Sequence, residues 1–272
     1  MVAGFGGEGH GVRRRDDPGS APARAEMERL AESIQGRTAV IVGAAGGIGR
    51  AVAARLGEAG ARLALVDVSA AAIEKSGGDG LVIEADITDR SQVDEAAKVV
   101  RQALGGADIL VNAAGINTKQ RTLADMSAEQ WERVIGVDLT GVFHCTQAFL
   151  GMMRERGGGI VVTIVSTAAL GATAGAGAHY CAAKRALLSL TESINAEEAR
   201  HGIRACAISP GEVDTPLVDM RPHPPSAERR AAALKPGDVA EAVYFAVTRP
   251  QRVTVSEIVV YPSTQLSGAY EI

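Results

Sequence analysis

Short apolar runs rich in β-branched residues recur along the chain, and between them the apolar spacing becomes helical. Thr38–Val42 (TAVIV), Leu63–Val66, Leu81–Ile83, Ile109–Val111, Ile160–Val165, Ile203–Ile208 and Glu257–Val260 read as strands. Ile48–Leu56, Ser91–Leu104, the long stretch from Ala128 to about Met153, Tyr180–Arg200 and Val239–Val247 read as helices. A strand that is apolar throughout must be covered on both faces, and strand–helix alternation makes neighbouring strands parallel. The pattern therefore predicts one α/β domain, a doubly wound parallel sheet of about seven strands with helices on both faces. Ligands of such folds bind outside the carboxyl ends of the strands.

Composition narrows the class further. The 272 residues suit one large domain, and 46% hydrophobic against 22% charged residues excludes a disordered chain. Aromatic residues are only 3%, so the core must come mainly from Ala, Val, Leu and Ile. A net charge of −4 offers no basic excess for nucleic acid. Cys145, Cys181 and Cys206 are far apart with no CxxC pair, which argues against a disulfide framework or a zinc site and for a reducing, cytoplasmic setting. Runs such as Ile160–Val165 are too short to span a bilayer, so no membrane partner is expected. Residues 1–26 are dominated by Gly, Pro, Ala and charge and are expected to be a disordered tail ahead of a domain at 27–272. Met27 stands just before the first patterned residues and is a candidate start.

After the first strand comes Gly43-Ala44-Ala45-Gly46-Gly47-Ile48-Gly49, opening a helix. Glycines there let backbone approach a pyrophosphate, and the helix N-terminus supplies N–H groups and a positive dipole end. Asp67 ends the second strand, eighteen residues past Gly49. An acid at that place accepts from the adenosine ribose hydroxyls and repels a 2′-phosphate. Ala44, Ala45 and Val68 supply no cation, so the expected cofactor is NAD rather than NADP.

Tyr180-Cys181-Ala182-Ala183-Lys184 puts a phenol and an ammonium four residues apart on one helical face. The ammonium is expected to favour phenolate and draw the Tyr180 pKa down toward neutrality, giving a general acid/base. His179 and His144 read as packed or surface residues, the cysteines as small fillers, and no cluster has metal-ligand spacing.

With these motifs in order the chain resembles the single-domain short-chain dehydrogenases/reductases over about residues 37–262. The resemblance implies a Rossmann-type fold and further roles. Gly43, Gly47, Ile48 and Gly49 form the cofactor loop, with Val42 where that loop usually has Thr. Asp86 and Ile87 follow the third strand and hold adenine. Asn112-Ala113-Ala114-Gly115 resembles the family's Asn-Asn-Ala-Gly and lines the cofactor. Pro210, Gly211, Val213 and Thr215 match the segment over the nicotinamide. Tyr180 and Lys184 touch both chemistry and cofactor. Ser166 and Thr167 compete for the catalytic hydroxyl: counting back from Tyr180 selects Thr167, whereas the strand pattern selects Ser166, which we adopt. Asp138 occupies the place of an Asn that holds a water beside the lysine. The implied reaction is hydride transfer between NAD and a small-molecule secondary alcohol or ketone. The implied assembly is a homotetramer or a dimer through the helices at 128–153 and 180–200. The alternative is a nucleotide-sensing protein with a degraded site, for which Asp138 is the one supporting residue. The segment Glu212–Pro236 is expected to form a lid.

Overall fold

The computed structural model describes residues 31–171 and 175–266. The tail expected at 1–26 and the candidate start at Met27 lie outside them. The strands are β1 (Thr38–Val42), β2 (Arg62–Asp67), β3 (Leu81–Glu84), β4 (Ile109–Asn112), β5 (Gly159–Ile164), β6 (Ile203–Pro210) and β7 (Glu257–Val260). They form one seven-stranded sheet in the order β3-β2-β1-β4-β5-β6-β7, with parallel pairing throughout. The fold is the Rossmann-type doubly wound sheet that the alternation predicts.

The strands read as continuous apolar runs because both faces are covered. Ala39 and Ile41 of β1 pack toward α1 (Gly47–Glu58) and the later helix Pro236–Val247, with Val52, Leu56, Val239 and Val243. Val40 and Val42 pack toward the other layer, with Val93 and Val100 of α3 (Arg90–Leu104), and with Phe149, Met153 and Ile194. Short helices that the apolar pattern does not mark are set by caps. The Ser69 hydroxyl accepts from Ala72 N–H to start α2 (Ala70–Lys75). Asp89 likewise starts α3, and Gly105 at φ 74° ends it.

The long helix expected from Ala128 to about Met153 is three pieces. A capping box between Ser127 and Gln130 opens α4 (Ala128–Ile135), a π-helical turn covers Gly136–Gly141, and α5 (Val142–Glu155) follows. Two observations place the turn where it is. A Cβ on Gly141 would meet Ile87 Cγ1 at 2.5 Å, so this stretch lies hard against the β3 side. The widened turn also carries Asp138 into the interior, where it is fully buried. Such turns concentrate at functional sites. An 18-residue window within Ala128–Glu155 reaches a mean hydropathy of 1.2, so by length and composition alone this stretch is long and apolar enough to cross a bilayer. In this fold its buried side, with Val134, Val142, Phe149 and Met153, belongs to the core.

Downstream come α6 (Ala178–Glu198), α7 (Ala227–Ala232), α8 (Pro236–Val247) and α9 (Ser263–Leu266). α6 begins two residues before Tyr180, after Gly177 at φ 87°.

Candidate active site

Strand order reverses between β2-β1 and β4-β5, which puts the ends of β1 and β4 side by side; Val42 is register partner of Asn112. The crevice at that reversal is where such sheets bind ligands. Gly43 has φ 80°, and a Cβ there would stand 2.5 Å from Ala114 N. A Cβ on Gly49 would stand 2.1 Å from Gly43 O, and one on Gly47 would stand 2.9 Å from Thr215 Cγ2. Each glycine thus lets one neighbouring segment close on the loop. No side chain caps α1, so its first-turn N–H groups are suited to an anion.

Asp67 Oδ2 accepts from Ala45 N–H at 2.9 Å, so the acid ties the end of β2 to the glycine loop. Asp86 Oδ1 accepts from the N–H and the hydroxyl of Thr88 at 2.9 and 2.7 Å, and Ile87 beside it is buried. Asn112 is fully buried; its Nδ2 donates to Thr146 Oγ1 at 3.4 Å, and its Oδ1 has no hydrogen-bond partner among the described residues. Ala113 N–H donates to Val42 O at 2.8 Å. Pro210 ends β6, Val213 bridges to Leu234, and Thr215 reaches Gly47. The residues expected to hold a dinucleotide therefore converge on one crevice, and uncapped α1 with its Cβ-less cradle fits a pyrophosphate.

The chemical groups lie on the β4–β5–β6 side. Lys184 Nζ is 3.2 Å from Asp138 Oδ2, donates to Ile164 O at 3.3 Å and lies 5.4 Å from the centre of the Tyr180 ring. Asp138 Oδ1 accepts from Ile116 N–H at 2.8 Å. A Cβ on Gly115 would meet Asp138 Oδ2 and Lys184 Nζ at 3.2 Å each, so the glycine makes room for the pair. Ser166 Oγ accepts from Ala168 N–H at 3.1 Å and acts to lower the Tyr180 phenol, while Thr167 begins a short 3₁₀ turn.

One sequence expectation is corrected here. Burial pushes the Tyr180 phenol up, and the negative Asp138 adds to this; Lys184, Ser166 and Arg121 pull it down without reversing the direction. The sequence shows Lys184 but not the burial. Burial acts to lower the Lys184 ammonium, but Asp138 and Tyr180 outweigh it and hold it charged. Burial pushes the Asp138 carboxyl up against the opposing pull of Lys184 and Ile116 N–H.

A prediction follows from the sign of that charge. Asp138→Asn keeps the shape and an acceptor for Ile116 N–H but removes a negative charge near the phenol. The phenolate becomes easier to form, so the acidic limb of the rate–pH profile is expected to move to lower pH. An unmoved or upward-shifted limb would show that Asp138 does not act on Tyr180 electrostatically.

Two neighbours were not singled out by their spacing. His179, fully buried, has Nε2 2.8 Å from Thr118 Oγ1 and accepts at Nδ1 from Tyr180 N–H at 2.8 Å. Thr118 Oγ1 donates onward to Gln120 O, which assigns a neutral Nε2–H ring, and burial lowers the imidazole in the same sense. Arg121 is only 7% exposed and reaches toward the same cluster. Of the cysteines, Cys145 and Cys206 are buried with thiols pushed up to about 12 by burial, as inert fillers should be.

Residues 37–224 match the family model described as short chain dehydrogenase. The chain is a short-chain dehydrogenase. An oxidoreductase of Staphylococcus aureus strain USA300, named as uncharacterized, is 33% identical over 231 residues, covering 83% of this dehydrogenase and 97% of that protein. A crystal structure of a short-chain type dehydrogenase/reductase from Mycobacterium marinum matches with a TM-score of 0.76 and 30% identity, covering 86% of this chain and 97% of the other. A 3-ketoacyl-(acyl-carrier-protein) reductase from Brucella melitensis, crystallised with NADH, matches with a TM-score of 0.77 and 29% identity, covering 85% and 99%. The dehydrogenase is thus an oxidoreductase whose family uses NAD or NADP.

Proposed function

We propose that this dehydrogenase interconverts a small-molecule secondary alcohol and its ketone using NAD. The observation that carries the reading is the cluster of Tyr180, Lys184 and Ser166 beside the glycine-loop crevice: a phenol with an ammonium 5.4 Å from the centre of its ring and a serine hydroxyl that acts to lower its pKa. The bound nicotinamide supplies the hydride acceptor or donor. Tyr180 Oη takes the proton of the alcohol hydroxyl, or gives it to the ketone oxygen. Ser166 Oγ hydrogen-bonds that same oxygen and orients it. Lys184 Nζ, kept charged by Asp138, favours the phenolate and would hold a nicotinamide-ribose hydroxyl. The Gly43–Gly49 loop, Asp67, Asp86, Ile87, Asn112, Ala113, Gly115 and the Pro210–Thr215 segment would hold the dinucleotide.

Buried, inert Cys145 and Cys206 suit a cytoplasmic enzyme. Trp131 of α4 and Phe143 of α5 keep about 40% of their surface exposed, which supports a homo-oligomer through these helices. The test of the reading is a panel of secondary alcohols and ketones followed by NADH absorbance.

The cofactor preference is a prediction of its own. A carboxylate at Asp67, tied to the glycine loop through Ala45 N–H, would repel a 2′-phosphate, so catalytic efficiency should favour NAD by roughly tenfold or more, a difference of about 1.4 kcal/mol. Asp67→Asn keeps an acceptor for Ala45 N–H while removing the charge, and should narrow the preference. Equal efficiency of the unaltered enzyme with NADP would refute it.

A further inference from the structure

We propose that Arg121 is a positioning residue: its guanidinium latches the lid to the two loops beside Tyr180. The term substrate below rests on the function proposed above; the latch does not. Three donors of one side chain reach three separate segments. Nε donates to Thr118 O at 2.8 Å, in the loop after β4. Nη1 donates to Gly175 O at 2.8 Å, in the loop between Ser166 and Tyr180. Nη2 donates to Met220 O at 3.1 Å, in the 3₁₀ turn Pro216–Met220 at the front of the segment Glu212–Pro236, the lid expected from the sequence. Among the described residues no carboxylate pairs with this guanidinium, although the residue is 93% buried.

The surroundings make the link specific to the lid. The first two loops are joined without Arg121, by Asn117 Nδ2 to Ala176 O at 3.0 Å and by His179 to Thr118. The lid is braced within itself: Glu212 pairs with Arg221 and Arg229, and Asp214 with Arg230 and Lys235. Loss of Arg121 therefore leaves the loops joined to each other and the lid internally intact, and removes a tie between them. Only a rigid fork can serve three carbonyls at once; a lysine ammonium on a flexible stem cannot reproduce it.

The test compares the full chain with Arg121→Lys and Arg121→Gln. Amide hydrogen exchange is followed in 216–221 and in 178–184, with NAD titrations and steady-state kinetics alongside. A latch predicts exchange in 216–221 faster by about tenfold in both variants, the effect of one lost charged hydrogen bond. Exchange in 178–184 and NAD affinity should stay as in the unaltered protein, and substrate KM should rise by about as much while kcat falls less. Unchanged exchange in 216–221 overturns the latch. Exchange rising equally in both segments, with weaker NAD binding, overturns it in favour of general structural support. If the unaltered protein turns over no substrate, the function proposed above fails, and the exchange comparison still decides the latch.

Discussion

Tyr180→Phe is expected to lower turnover by about 10²–10⁴-fold, the usual contribution of general acid–base catalysis. The substitution keeps the ring, its packing and its contact with Lys184, and removes the one group placed to exchange a proton with substrate oxygen. NAD affinity should change little, because the hydroxyl removed is the one assigned to the substrate oxygen in the proposed reaction. Because burial holds the free phenol up, the unaltered enzyme should oxidise alcohol faster as pH rises. Tyr180→Phe should lose that dependence along with its rate. Retained turnover would remove the proposed chemistry and leave the nucleotide-sensing alternative in front.

Lys184→Ala should affect both stability and rate. Asp138 has no surface exposure, and Lys184 is the cation facing it at 3.2 Å. Removing one partner of a buried pair typically costs ~3–5 kcal/mol, because the other charge is left without compensation. Asp138 can escape part of that penalty by taking a proton. Its carboxyl is already pushed up by burial, and without Lys184 it rises further. A folded-state pKa above the unfolded value means that folding takes up a proton, so stability is greatest at low pH and falls as pH rises through the folded pKa. The variant should therefore melt higher in mildly acidic buffer than in alkaline buffer. Lys184→Ala with Asp138→Asn should recover much of the loss. NAD binding and rate should fall together in Lys184→Ala, unlike in Tyr180→Phe. Melting temperatures across pH for the two variants check the first part, and NAD titration checks the second.

The sheet was legible because its signal is local. TAVIV at Thr38–Val42 or the run at Ile203–Ile208 is apolar on both faces, and burial on both faces leaves no other reading. The glycine loop was legible for the same reason, since strand, Gly43–Gly49 and helix follow one another directly. The π turn at Gly136–Gly141 was not, because a slipped backbone hydrogen bond leaves the apolar spacing of Ala128–Glu155 nearly unchanged. The direction of the Tyr180 shift was missed because Lys184 is four residues away in sequence, whereas the burial comes from the fold around it. Arg121 gave no signal at all: two of its three acceptors, Gly175 and Met220, lie 54 and 99 residues away. The competition between Ser166 and Thr167 turned on loop length, which sequence spacing does not fix.

Hydride transfer itself is the central claim, and isotope transfer tests it most directly. A secondary alcohol found active in the panel, deuterated at its carbinol carbon, is incubated with the enzyme and NAD, and the reduced nucleotide is recovered. The account predicts deuterium on the nicotinamide ring in an amount equal to the ketone formed. NAD that binds at the glycine loop but stays unreduced across the panel, or ketone formed without label on the nucleotide, would contradict it.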